Sequence, residues 1–159
     1  IQKAVECGAS ELTVFESERC IVRVKEAADA KKTERRQRIA LEAAKQSGRG
    51  IIPTVHPAVR FPEAISQAAN ADLALFCYEG DGTLPLSSVL HDYVKGNPDK
   101  TDLSISIVIG SEGGFSLNEA EQARRAGLIP VGLGKRILRC ETAPLCALSA
   151  ILYAADELA

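Results

Sequence analysis

The apolar residues of this chain come in short runs separated by stretches of helical spacing. Residues 1–8 (IQKAVECG) read as the tail of a helix capped by Gly8. Residues 11–15 and 20–24 are rich in β-branched side chains, so one or both are expected to be strands. Residues 31–47 carry helical spacing, and Ile39, Ala43 and Gln46, with Ala40, Ala44 and Ser47, form the stripe expected to be buried. Gly48 should end that helix. Further strands are expected at 51–55 (closed by His56-Pro57), 71–77, 103–109 and 128–131, with short helices at 62–69, 85–94 and 117–126. Ser116 and Glu119 have the spacing of a capping box before the third of these helices, and Gly127 should close it. The last helix is expected to begin with Thr142 as its N-cap. Leu145, Leu148 and Leu152 form one face, but Cys146, Ala147, Ala150, Ile151 and Ala154 cover most of the rest. A helix apolar nearly all round is buried in a core or a subunit interface. Strands alternating with helices predict an α/β fold, a mostly parallel sheet flanked by helices.

Composition narrows the picture. A chain of 159 residues suits one domain, and 46% hydrophobic content against 25% charged excludes a disordered chain. No apolar run approaches the roughly 20 residues that span a bilayer, and no secretory signal is visible. The chain has no methionine and opens in what reads as mid-helix, so a piece of a longer or processed protein is expected. Its five cysteines show no C-x-x-C, and His56 and His91 stand apart from them and from each other. No metal site is expected, and the thiols suggest a reducing compartment such as the cytoplasm or a plastid stroma.

Charge is more informative. The net charge of −2 hides two basic groups: Lys31, Lys32, Arg35, Arg36, Arg38, Lys45 and Arg49, and then Arg124, Arg125, Lys135, Arg136 and Arg139. Solvated helix faces and phosphate-binding patches both produce such clusters. The second group overlaps a pair of glycine-bearing loops. The expected strand ending at Ile109 runs into Gly110, Gly113 and Gly114; the one ending at Val131 runs into Gly132, Gly134 and the segment Lys135–Arg139. Neither loop is a Walker A sequence or G-x-G-x-x-G. A glycine loop after a strand is, by itself, more often a tight turn than a ligand site. The second loop shifts that balance, because Ile137 and Leu138 set among Lys135, Arg136 and Arg139 suit an adenine flanked by polar groups. Two such loops at the carboxyl ends of parallel strands predict a binding crevice.

These residues carry a resemblance. IGSEGGF followed by LGKRILRCETAPLCALSAI resembles the signature of the RsmE family, the small-subunit ribosomal RNA uridine-N3 methyltransferases of the SPOUT superfamily. The resemblance extends to IQKAVECGASELTVFESERC and RRQRIALEAAKQSGRGIIPTV, and so covers nearly the whole chain. It implies a SPOUT domain with a C-terminal trefoil knot, S-adenosylmethionine as cofactor, small-subunit ribosomal RNA as substrate, and a homodimer with cofactor sites beside the interface. It places Ile109, Gly110, Glu112, Gly113 and Gly114 on one side of the cofactor. Leu133, Gly134, Ile137, Leu138, Arg139 and Thr142 come on the other, with Leu75, Phe76 and Cys77 nearby. Ser111 stands where the family commonly has proline, and Cys140 where threonine or valine is more usual. The glycines remain, so the implied cofactor site stands. The family also carries an N-terminal RNA-binding barrel of the PUA type and a first strand, neither present in this sequence, and without them weaker RNA binding and reduced activity are expected.

Methylation at uracil N3 requires an unpaired or flipped base, removal of the N3 proton, and stabilisation of the negative charge left on the ring. Arg49 and Arg139 are candidates for holding phosphate or the uracil oxygens. Glu112 and Glu141 are candidate proton acceptors, although Glu141 also suits the N-terminus of the last helix. Two rivals fit the same pattern. The QSGR segment speaks against a SPOUT enzyme acting on tRNA, and glycines in both loops speak against a non-catalytic RNA-binding or assembly factor.

Overall fold

The structure, a computed structural model, describes residues 1–21, 26–98 and 103–157, with the backbone alone at 26–28. The alternating pattern folds into two parallel sheets. In the first, β1 (Glu11–Glu16) pairs with β2 (Thr54–Arg60). In the second, β3 (Leu73–Cys77), β4 (Leu84–Pro85), β5 (Ile105–Ile109) and β6 (Ile129–Gly132) lie in the order β4-β6-β3-β5. The helices are α1 (Gln2–Glu6), α2 (Glu26–Gln46), α3 (Phe61–Ala68), α4 (Leu86–Gly96), α5 (Leu117–Arg125) and α6 (Ala143–Ala154).

Strand β3 has neighbours on both edges and helices on both faces, which is why LALFC contains no polar residue. Its side chains divide by alternation. Ala74 and Phe76 join Phe61, Ile65, Ala120 and Ala123 of α3 and α5. Leu73 and Leu75 join Leu86, Leu90, Ala147 and Ile151 of α4 and α6. A third cluster, Val5, Ala40, Ala43, Ala44 and Val55, holds α1 and α2 on the two-stranded sheet.

Several expectations shift. Helix α2 begins at Glu26, and its buried stripe is Ala40, Ala43 and Ala44; Gln46 and Ser47 are exposed because the helix ends there. The polar residue that does face the sheet is Gln37. Its amide donates to the Pro53 carbonyl at 2.9 Å and accepts from the Val55 N–H at 2.8 Å, as a neighbouring strand would. Strand β2 starts later than expected and continues through His56-Pro57. Its register with β1 breaks between Thr13 and Phe15, where a residue without an N–H is tolerated. The next amide, of Ala58, donates to the buried Asp29 carboxylate at 2.8 Å. Cys20 and Ile21 are not in a strand, and residues 22–24 of that expected strand lie outside the described residues. In α6 the buried line is Ala143, Ala147 and Ile151, with Leu145, Leu148 and Leu152 half-buried and Tyr153 exposed. Thr142 precedes α6 but makes no side-chain capping bond, since its own backbone is already helical.

Candidate active site

Because β3, β5 and β6 are parallel neighbours, the loops that follow them leave the same edge of the sheet. They enclose one cavity of about 780 Å³, within the ~300–1,000 Å³ usual for small-molecule sites. Cys77, Tyr78 and Glu79 come from the end of β3 and its loop, Ile109 to Phe115 from the end of β5 and its loop, and Val131 to Cys140 from the end of β6 and its loop.

Phe115 fixes the first loop. It is buried, with its ring centroid 4.4 Å from Phe76 and 5.5 Å from Phe61. Residues 110–114 therefore arch between a strand end and a core anchor. Packing explains Gly110, where an added Cβ would come within 3.0 Å of the Phe115 ring. Helix α5 then starts at the expected capping box: Ser116 Oγ accepts from the Glu119 N–H at 3.1 Å, and Glu119 Oε2 accepts from the Ser116 N–H at 2.9 Å. The second loop is held by α6, since the Arg139 carbonyl accepts from the N–H groups of Thr142 and Ala143, each at 2.9 Å. Gly134 sits at φ +99° with nothing within 4 Å of the place its Cβ would occupy, so the backbone there is strained for other residues and open to a close ligand.

Cys140 joins the two loops. Its thiol lies 3.2 Å from Glu112 Oε1 and 3.4 Å from Glu141 Oε2. The Glu112 carboxylate is held below its usual range, first by its own backbone N–H and then by the Cys140 thiol. The same contact, with burial, pushes the Cys140 thiol up to about 11. Glu112 is thus a fixed, ionised acceptor on the cavity wall.

The structure gathers Ile109, Gly110, Glu112, Gly113, Gly114, Leu133, Gly134, Ile137, Leu138 and Arg139 around this cavity. Thr142, at the start of α6, does not line it. Arg49 is placed elsewhere. Its guanidinium donates to the carbonyls of Val5 (2.9 Å), Ala9 (2.6 Å) and Gly8 (3.2 Å), closing the end of α1, and it does not line the cavity. The basic clusters are also partly structural: Arg36 pairs with Asp29, and Arg124 donates to the Asp81 carbonyl and lies over the Tyr78 ring. Among the described residues, no helix is long and apolar enough to cross a membrane and no three metal-ligating side chains cluster. One cavity residue, Arg19 in the loop after β1, carries no motif, and only its folded position reveals it.

Residues 1–152 match the family model described as an RNA methyltransferase domain. The chain belongs to the RNA methyltransferase domain family. It is 37% identical over 158 residues to the ribosomal RNA small subunit methyltransferase E of Bacillus subtilis, covering 99% of this chain and 61% of that protein. The chain spans about three fifths of the length of such relatives. Among solved structures it superposes on the ribosomal RNA small subunit methyltransferase E of Neisseria gonorrhoeae bound to S-adenosylmethionine, with a TM-score of 0.77 and 35% identity over 95% of this chain and 58% of that one. It also resembles a methyltransferase of Legionella pneumophila solved with the same bound cofactor, at a TM-score of 0.80 and 29% identity over 96% of this chain and 59% of that one. Membership bears out the resemblance to RsmE carried by the two glycine loops.

Proposed function

We propose that residues 1–159 form a SPOUT-type methyl-transfer domain that uses S-adenosylmethionine to methylate N3 of a uridine in small-subunit ribosomal RNA. We further propose that it works as a homodimer and that its two cavity loops thread as a trefoil knot. The observation that carries the reading is the convergence of both glycine loops on one cavity at the carboxyl edge of the sheet.

The residues present fit the cofactor. Leu133 and Leu138 offer half-buried apolar surface beside the open backbone at Gly134. Ser111, also on the cavity wall, has a buried hydroxyl with no partner among the described residues. Ile109, Gly110, Glu112, Gly113 and Gly114 would hold the cofactor on one side, and Leu133, Gly134, Ile137, Leu138, Thr142 and the backbone of Arg139 on the other. When bound, S-adenosylmethionine supplies an electrophilic methyl group. Arg139, exposed on the cavity wall, would place its guanidinium on the uracil oxygens, where negative charge grows as N3 loses its proton. Glu112 would accept the N3–H hydrogen bond. Its depressed pKa suits it to orienting that proton rather than storing it, and the proton passes on to water.

Calorimetric titration of the chain with S-adenosylhomocysteine tests the reading. About one ligand per chain is expected, and a folded chain that binds none overturns it. Arg139→Ala should keep that affinity within about twofold yet lower methylation of unmethylated small subunits by about 100-fold or more. Wild-type turnover in the variant would refute the role given to Arg139.

A further inference from the structure

The loop after β1 belongs to the two-stranded sheet, yet it reaches the cavity of the other sheet. Its seat is specific. The Glu18 N–H donates to Glu119 Oε1 at 2.7 Å, the Asn118 amide donates to Glu18 Oε1 at 3.1 Å, and Arg19 Nη1 donates to the Gly113 carbonyl at 3.1 Å. A Cβ at Gly113 would come within 2.9 Å of Arg19 Cβ and 3.1 Å of its carbonyl oxygen. Gly113 is therefore small in order to admit Arg19.

What the seat presents is an exposed guanidinium on the cavity wall. One of its five N–H donors is given to Gly113, which leaves a fork with further donors available. The other cations lining the cavity, Lys135, Arg136 and Arg139, all come from the second glycine loop; Arg19 supplies positive charge to the first. With it, four cations face three carboxylates, Glu79, Glu112 and Glu141, in a chain whose net charge is −2. A peg that only held the loop would need no charge. The rim of the cavity around Arg19 is open to solvent, since Glu112 is exposed and Leu117 is 80% exposed. A polynucleotide strand delivering a base can therefore pass over Arg19.

We propose that Arg19 is a substrate-positioning residue whose guanidinium binds a backbone phosphate of the RNA strand that inserts its uridine into the cavity. The inference rests on the functional reading above. Arg19 and Arg139 would then grip the strand from the two glycine loops, one at the phosphate and one at the base.

The test compares wild type, Arg19→Ala and Arg19→Lys. Affinity for S-adenosylhomocysteine is measured by calorimetry. Affinity for a single-stranded, uridine-containing oligoribonucleotide is measured by fluorescence anisotropy over a series of salt concentrations. Arg19→Ala should weaken RNA binding by about tenfold and reduce the slope of log K against log salt by about 0.7, one phosphate contact on a single strand. Its affinity for S-adenosylhomocysteine should stay within about twofold of wild type, and Arg19→Lys should retain most of the salt slope. An unchanged slope in Arg19→Ala overturns the inference, and an accompanying loss of S-adenosylhomocysteine binding would assign Arg19 to the cofactor loop instead. A wild-type chain that binds neither probe overturns the functional reading itself and this inference with it.

Discussion

Cys140 titrates as it does because of its neighbours. A thiol facing two carboxylates keeps its proton, and its pKa rises from 9.0 to about 11. Folding raises this pKa, so the protonated thiol adds stability that is fully present below about pH 9 and is lost as the pH climbs through about 11. At pH 8 such a rise leaves about 100-fold less thiolate, of which the greater nucleophilicity of a more basic thiolate restores about tenfold. Iodoacetamide should therefore modify Cys140 about tenfold more slowly than it modifies free cysteine, as followed by peptide mass spectrometry. Glu112→Gln should narrow that gap. Equal rates in wild type would mean that the Cys140–Glu112 contact does not form. At this scale the sequence exposed the lining residues, because glycines and an apolar-basic alternation are local signals. It could not expose Arg19 or Gln37, whose roles depend on partners 94 and 16 residues away. It misplaced Arg49 for a related reason: a lone arginine after a helix looks the same whether it meets a phosphate or three carbonyls.

Among the helices, α5 shows how an element can be legible while its purpose is not. The capping box of Ser116 and Glu119 is a spacing rule, and the structure contains it. Glu119 does more than cap. Its other oxygen accepts from the Glu18 N–H, so one buried carboxylate ties the start of α5 to the loop that carries Arg19. Glu119→Ala would leave two N–H groups without their acceptor, at ~1–3 kcal/mol each, for a total of about 2–6 kcal/mol. In a chain of this size the midpoint of thermal unfolding, followed by circular dichroism, should fall by about 4–24 °C. Ser116→Ala removes only the ordinary cap and should cost about 1 kcal/mol. A Glu119→Ala loss no greater than that of Ser116→Ala would show that the bond to Glu18 contributes nothing. The strands were readable where alternation and β-branching decide them. The pairing of Leu84-Pro85 with Val131 and Gly132 was not, since two residues carry no period of their own.

On the scale of the whole molecule, the near-uniform apolarity of α6 serves two surfaces. One line of the helix is buried on the sheet, while Cys146, Ala150, Tyr153 and Ala154 border a groove of about 850 Å³ shared with α4. Tyr153 of α6 is 79% exposed and Leu84 of β4 is 53% exposed along this groove. The sequence announced a buried helix without saying what buries it, because nothing in a pattern distinguishes a core from a second copy. In the proposed homodimer this groove is the face a partner covers. Light scattering should then give twice the chain mass for wild type, and Tyr153→Arg should give the monomer with an unchanged far-ultraviolet spectrum. The groove shares Thr83 and Gly132 to Gly134 with the cavity, so a partner seated there would brace the second glycine loop. Monomerisation should therefore weaken S-adenosylhomocysteine binding by about fivefold or more, the coupling expected between linked sites. A Tyr153→Arg monomer that keeps wild-type affinity would separate assembly from cofactor binding. A Tyr153→Arg dimer would place the interface on another face.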